Sequence, residues 1–272
     1  MIRLIDRREV PRLLSFCEGS PYGVRLAAFL QAYGPGYPFA LFWVQTDDSG
    51  RMTAALSRVD GQVTVCACEQ ADLEELWAFL SAVGYESVLC PAWVAQASST
   101  RGVCRMESCH AMRLSRAPAV PAIQEPATIC KEPSLRQVYV LLQAAGEPLP
   151  QWEAWLPDVS HRVRHGAARV WALREEDGYS ACAMAVAQTG REALLGGVAV
   201  LPDKRCKGRG SYLAAALCSA LAREGKAGKA VYLFRRAGMH EQFYERMGFA
   251  PYGPPAMMIQ KGVSNTYAAA FF

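Results

Sequence analysis

No stretch of the chain approaches the roughly 18 consecutive apolar residues that a membrane-spanning helix needs, so no membrane partner is expected. The first residues, "MIRLIDRREVPRLL", carry charges where an export signal needs an apolar core, and secretion is not expected either. Histidine is scarce, with four in 272 residues, and the ten cysteines are scattered. The cysteine groups "CAC" at 66–68 and "CRMESCH" at 104–110 lack a second ligand pair at a zinc spacing. "HRVRH" at 161–165 puts two histidines one helical turn apart without the glutamate of a zincin, and reads as a solvated helix face. No metal is therefore expected, and the thiols fit a reduced, cytoplasmic setting. Charge is modest too: 20% of residues are charged and the net charge is +4. Without an aromatic-and-basic RNA-binding signature, that balance argues against a nucleic-acid partner.

What is present is apolar, at 51% of residues, enough for two cores of about 130 residues each. The stretch "APAVPAIQEPATICKEP" (117–133) holds four prolines and little periodicity, and reads as a linker. On either side the same plan recurs. Amphipathic helices start at Asp6 ("DRREVPRLLSF") and at Ser134 ("SLRQVYVLLQA"), and a second helix follows each, "PYGVRLAAFLQAYG" and "PQWEAWLPDVSHRVRHG". Alternating apolar runs broken by glycine turns come next, a hairpin signal. Gly50 aligns with Gly178 and Gly61 with Gly190; further on, "HAMRLS" (110–115) aligns with "PAMMIQ" (255–260). The expected organisation is residues 1–116, a linker at 117–133, and residues 134–272.

The halves differ at one place. After the third strand, the second half inserts "PDKRCKGRG" before the helical run "SYLAAALCSAL", whereas the first half passes through "CEQADLEELW". Residues 201–240 hold nine Lys or Arg against Asp203 and Glu224, a net of +7, which leaves −3 for the rest of the chain. Glycines at 208 and 210 let the backbone turn and a ligand approach. A helix N-terminus with open amides and nearby cations is an anion site that suits a diphosphate. No G-K-[ST] closes the loop, so it is not a Walker loop.

The run "VAVLPDKRCKGRG" (198–210) resembles the acetyl-CoA motif of the GNAT acetyltransferase superfamily, an apolar strand followed by [RQ]-x-x-G-x-[GA]. A second family signature, Y-x-x-x-G-F, stands at Tyr244–Phe249 as "YERMGF". The resemblance covers about residues 134–262 and reaches the first half only through the repeat. It implies an α/β (α+β) fold of two GNAT-like domains, each a mixed, mostly antiparallel sheet flanked by helices, with a degenerate first half. It implies acetyl-CoA as acyl donor and an amine as acceptor. Carried over, Leu195 to Val200 splay from the neighbouring strand, and Val198, Ala199 and Val200 face the pantetheine arm. Arg205, Cys206, Lys207, Gly208, Arg209, Gly210 and Ser211 then hold the diphosphate, the first-half loop holds none, and Tyr244 protonates the leaving thiolate.

The pattern departs from the family in two ways. The strand "ALLGGVAV" has no carboxylate beyond Glu192 at its start, which leaves the general base open among a water chain, Glu153, Asp158 and His240. Ala237 and His240 stand where many relatives carry Asn and Ala. Trp152 and Trp155 read either as acceptor-site lining or as packing residues. The expected function is an acyl-CoA-dependent N-acyltransferase, as monomer or homodimer; the alternative is a non-catalytic acyl-CoA-binding or protein-interaction module.

Overall fold

The computed structural model describes residues 1–98 and 104–261; the "YAAAFF" end lies outside them. The first half runs β1 (Ile2–Leu4), α1 (Val10–Cys17), α2 (Pro21–Tyr33), β2 (Ala40–Thr46), β3 (Met52–Val59), β4 (Gln62–Ala67), α3 (Leu73–Val83), β5 (Ser87–Pro91), α4 (Ala92–Gln96) and β6 (Cys104–Leu114). The second half repeats the order as β7 (Thr128–Cys130), α5 (Leu135–Ala144), α6 (Trp152–Arg164), β8 (Arg169–Glu175), β9 (Gly178–Gln188) and β10 (Glu192–Val200). A 3₁₀ turn (Pro202–Lys204), α7 (Arg209–Ala222), β11 (Ala230–Arg236), α8 (Glu241–Arg246), β12 (Phe249–Pro251) and β13 (Ala256–Lys261) complete it.

The expected helices and strands are in place, with local differences. Helix α1 starts at Val10 rather than Asp6, because Pro11 fits a first helical turn and disfavours helix in the residues before it. Each half also opens on a three-residue strand, too short for a periodic signal. The Pro-rich stretch 117–133 supplies one of these, β7, which pairs with β8. His161 is not a solvated residue: its ring stacks on Tyr33 of the first half at 4.8 Å, and its Nε2 lies 2.9 Å from the Ala32 carbonyl.

All strands join in one sheet, ordered β1-β2-β3-β4-β5-β13-β6-β11-β10-β9-β8-β7, with β12 also on β6. It is antiparallel except for β4/β5 and β10/β11. The order shows an exchange. The last strand of the second half, β13, lies beside β5 of the first, while β6, the last strand of the first half, lies beside β11 of the second. Strands β6 and β13 themselves pair, with Ala256 opposite Cys109. That register sets residue 110 next to its repeat counterpart 255, so an approximate two-fold axis passes between them. The division at 117–133 therefore follows the chain but not the sheet.

Helices cover both faces. Helix α7 buries Leu213, Leu217 and Leu221 completely against β8–β11, each worth about 1.5–3 kcal/mol. Helix α3 covers the first half in the same way through Leu76, Trp77 and Leu80. On the opposite face α1, α2, α5 and α6 share one core across both halves, with Leu13, Phe29, Leu142 and Trp155 among its members. Tertiary packing thus treats the two halves as a unit.

Candidate cofactor and acceptor site

The site begins where a parallel pair comes apart. Strands β10 and β11 are in register from Glu192/Ala230 to Leu195/Leu233 and no further. Strand β11 continues to Arg236 along β6, while β10 turns away. The cause is local: Gly197 adopts φ +56° inside a β-bulge against β9, between Gly196 and Ala199. A bulge bends its strand, and a Cβ at Gly197 would meet Met184 Sδ at 3.0 Å. Val198, Ala199 and Val200 follow the bend and keep an edge of backbone donors and acceptors free of strand β11. Val198 and Val200 are partly exposed, and Ala199 is buried.

The loop after β10 leads into α7. Cys206 and Gly208 have φ of +61° and +79°, so two left-handed residues reverse the chain within three positions. Gly208 is the N-cap of α7, with no side-chain cap. The first backbone amide to bond back is Tyr212, to Gly208 O at 2.8 Å. Among the described residues no acceptor meets the amides of Cys206 to Ser211. A Cβ on Gly210 would come within 3.1 Å of Val200 Cγ2, so glycine lets the helix start close to the strand end. Open amides, a helix dipole and absent side chains form a cradle fitted to a diphosphate.

The three cations of the loop have different tasks. Arg205 clamps the loop: its Nε donates to Val200 O at 3.1 Å and its Nη2 to Ala145 O at 2.7 Å. Lys207 is half exposed, 3.6 Å from Glu125 of the Pro-rich stretch. Arg209 departs from the expected role. Its side chain is 3% exposed and ion-paired with Glu175 and Glu125, so its charge is neutralised inside the protein. The hydrogen bonds from Arg209 pull the Glu175 carboxyl down to about 2.

Tyr244 lies on α8, half buried, its ring 6.0 Å from Phe249. Burial raises its phenol to about 12, and the fields of Cys218 and Glu147 add to the rise. His240, the N-cap of α8 at φ +54°, is exposed.

A cleft of about 80 Å³ opens between the two halves. Arg25, Phe29 and Asp60 of the first half line it opposite Trp155, Glu147 and Gly197 of the second. Gly197 joins the cleft to the strand wedge. Trp155 is a lining residue; Trp152 packs on Tyr139 and Trp155 at 5.1 and 6.2 Å and is not one. Of the base candidates, Glu153 is exposed outside the cleft. Glu192 sits at the far end of β10, accepting from Gly19 N and Tyr232 Oη at 2.9 and 3.3 Å. Asp158 lines the cleft but is held by Arg162 Nε at 2.9 Å and by a second bond from Nη2. Burial works to raise its carboxyl, and the Arg162 charge outweighs it and keeps it low. Glu147, in the loop between α5 and α6, was not singled out from the sequence, where a lone acid before a proline carries no motif.

Residues 166–251 match the model of the acetyltransferase (GNAT) domain. They form a GNAT domain. The GNAT fold also describes the chain more widely. A GCN5-related N-acetyltransferase from Sphaerobacter thermophilus superposes with a TM-score of 0.65 at 17% identity, over 98% of each chain. A Drosophila protein does so at 0.64 and 16%, over 96% of this chain and 98% of its own. A tandem GNAT protein from the clavulanic acid biosynthesis pathway gives 0.61 and 15%, over 97% and 100%. At such identities the likeness is one of fold. No curated protein sequence matches the chain. Among the described residues no helix is long and apolar enough to cross a membrane, and no group of three or more His, Cys, Asp or Glu could hold a metal ion.

Proposed function

We propose that the chain is an acyl-CoA-dependent N-acyltransferase that moves an acetyl group from acetyl-CoA to a primary amine by direct attack. The observation that carries this reading is the wedge between β10 and β11, ending on a loop in which the amides of Cys206 to Ser211 have no partner among the described residues. Acetyl-CoA is the donor substrate: its diphosphate suits the amides of Cys206 to Ser211 and the Lys207 ammonium, and its pantetheine arm the free edge of Val198 to Val200. The acceptor enters from the cleft on the other side of Gly197. Within this reading residues 134–261 carry the chemistry and the first half is scaffold and cleft wall.

Tyr244 supplies the proton for the departing thiolate. A phenol raised to about 12 by burial stays protonated at neutral pH, as a donor must. The rival reading, a non-catalytic acyl-CoA-binding module, draws on Ala237, which stands where many GNAT proteins carry Asn. Turnover separates the two. With acetyl-CoA and a panel of alkyl and arylalkyl amines, thiol release and an acetylated product are expected, and Tyr244→Phe is expected to lower kcat about 10²-fold with acetyl-CoA affinity within about twofold. Tight acetyl-CoA binding with no product on any amine would select the module, and a full-rate Tyr244→Phe enzyme would reduce that side chain to packing.

A further inference from the structure

We infer that Glu147 is the general base of the site, taking the proton of the acceptor ammonium. This rests on the acyltransferase reading above and adds the group that reading lacks. An amine that arrives as an ammonium has no lone pair to attack with, so a base must stand where the cleft meets the strand wedge.

Three carboxylates line the cleft: Asp60, Glu147 and Asp158. The oxygens of Asp158 are occupied by Arg162, and Tyr33 Oη donates to Oδ1 as well. Asp60 is exposed, at the tip of the β3–β4 hairpin in the first half, where φ is +47°. Glu147 differs from both. Its backbone is fixed by a hydrogen bond from its amide to Leu142 O at 3.0 Å, closing the end of α5. Its carboxylate is half buried, and among the described residues it accepts no hydrogen bond and forms no ion pair within 4.0 Å, so its lone pairs are available.

Its electrostatic neighbours locate it. Glu147 lies in the fields of Arg236, His240 and Arg205, which come from the end of β11, the cap of α8 and the loop after β10. Tyr244 in turn feels Glu147. The residue thus lines the cleft together with Gly197, two positions beyond Ala145, whose carbonyl Arg205 of the loop after β10 grips. Burial raises its carboxyl above the ordinary value, against the fields of those three side chains, and so makes it a better proton acceptor.

The proton balance closes. Glu147 takes one proton from the ammonium and later releases it to solvent. As the freed nitrogen bonds to the acyl carbon, the carbon–sulfur bond breaks, and its electron pair leaves on sulfur. Tyr244 gives the sulfur a proton and recovers one from the nitrogen, leaving an amide and a free thiol.

The test compares two acceptors of similar shape: benzylamine, protonated at pH 7, and O-benzylhydroxylamine, neutral there. A base is needed only for the first. Glu147→Gln is expected to lower the rate with benzylamine by about 10²–10³-fold, to leave O-benzylhydroxylamine within about threefold, and to bind acetyl-CoA as the parent does by calorimetry. Equal loss on both acceptors, or loss on neither, overturns the assignment while leaving the acyltransferase reading standing. A parent enzyme that acetylates neither of these nor any amine of the panel overturns the acyltransferase reading itself, and this inference with it. Should Glu147→Gln fail to fold, Glu147→Asp keeps the carboxylate at a shorter reach; a loss confined to benzylamine supports the base, and an equal loss on both removes it.

Discussion

Helices α3 and α7 occupy the same position in the two halves, and their first turns are built in opposite ways. At α3, the Asp72 carboxylate caps the Glu75 amide at 3.0 Å, and Glu74 and Glu75 fill the first turn. Gln45 bonds the Asp72 amide at 3.0 Å and Glu75 Oε2 at 2.9 Å, and the chain's terminal ammonium stands 3.2 Å from Glu75. The positive end of that helix is answered by the protein's own carboxylates, which would also repel a phosphate. At α7 the cap is Gly208, the first turn has no acid, and the amides stand open. A glycine cap costs only about a few tenths of a kcal/mol relative to a side-chain cap, which a bound anion offsets. Within one repeated architecture, the difference between a structural helix start and a candidate ligand site is where the capping carboxylate comes from.

Gly208→Asp is expected to have the largest effect, because it gives α7 the kind of start α3 has. The new carboxylate would point into the diphosphate cradle from a backbone at φ +79°. Titration with acetyl-CoA should show one equivalent per chain in the parent and an affinity at least about 10²-fold weaker in the variant, with the fold retained by circular dichroism. Two equivalents in the parent, or one that survives the substitution, would erase the distinction between the helices.

A smaller effect is expected from acid. Arg209, at the start of α7, holds Glu175 at about 2 against an ordinary 4.5. A carboxyl depressed on folding contributes its full stability above its unfolded value and loses it as pH falls through the folded one. The contribution is present in full at neutral pH and should disappear between pH 4.5 and 2. Urea midpoints across that range should fall in the parent and stay flatter in Glu175→Gln. Parallel profiles would mean that the ion pair contributes little to the loop's support.

The smallest effect concerns a carboxylate that reaches the α7 loop from the Pro-rich stretch. Glu125 of the Pro-rich stretch pairs with Lys207 at 3.6 Å and also with Arg209. Glu125 is exposed, and an exposed pair contributes little, so Glu125→Gln should tighten acetyl-CoA binding only about two- to fivefold. Weaker binding would instead mean that Glu125 orders the loop.

Much of this contrast was legible in the sequence because it is local. Glycine turns, alternating strands and the loop "RCKGRG" lie within a few residues of what they shape. What escaped depends on distant partners. Arg209 reads as a ligand cation until Glu175 and Glu125, 34 and 84 residues away, are beside it. His161 reads as solvated until Tyr33 of the other half stacks on it. Glu147 matters through its place at the wedge, and a single acid in a loop has no spacing to announce it. The similarity of "HAMRLS" and "PAMMIQ" was visible, but strand periodicity says which face a residue takes and nothing about which neighbour a strand chooses.

That choice of neighbour shapes the chain's birth. Strand β5 ends at Pro91 and waits for Ala256–Lys261 to become its partner. At about 5–20 residues per second of synthesis, the wait is on the order of 10–30 s. During it the hydrogen-bonding edge of β5 is open, the kind of edge on which chains stick to one another. Ladders spanning more than 140 residues, as between Met257 and Cys90, also form slowly once both strands exist, because the loop between them must close first. The nascent chain therefore cannot finish its first half before β13 emerges, and the two halves must complete folding together.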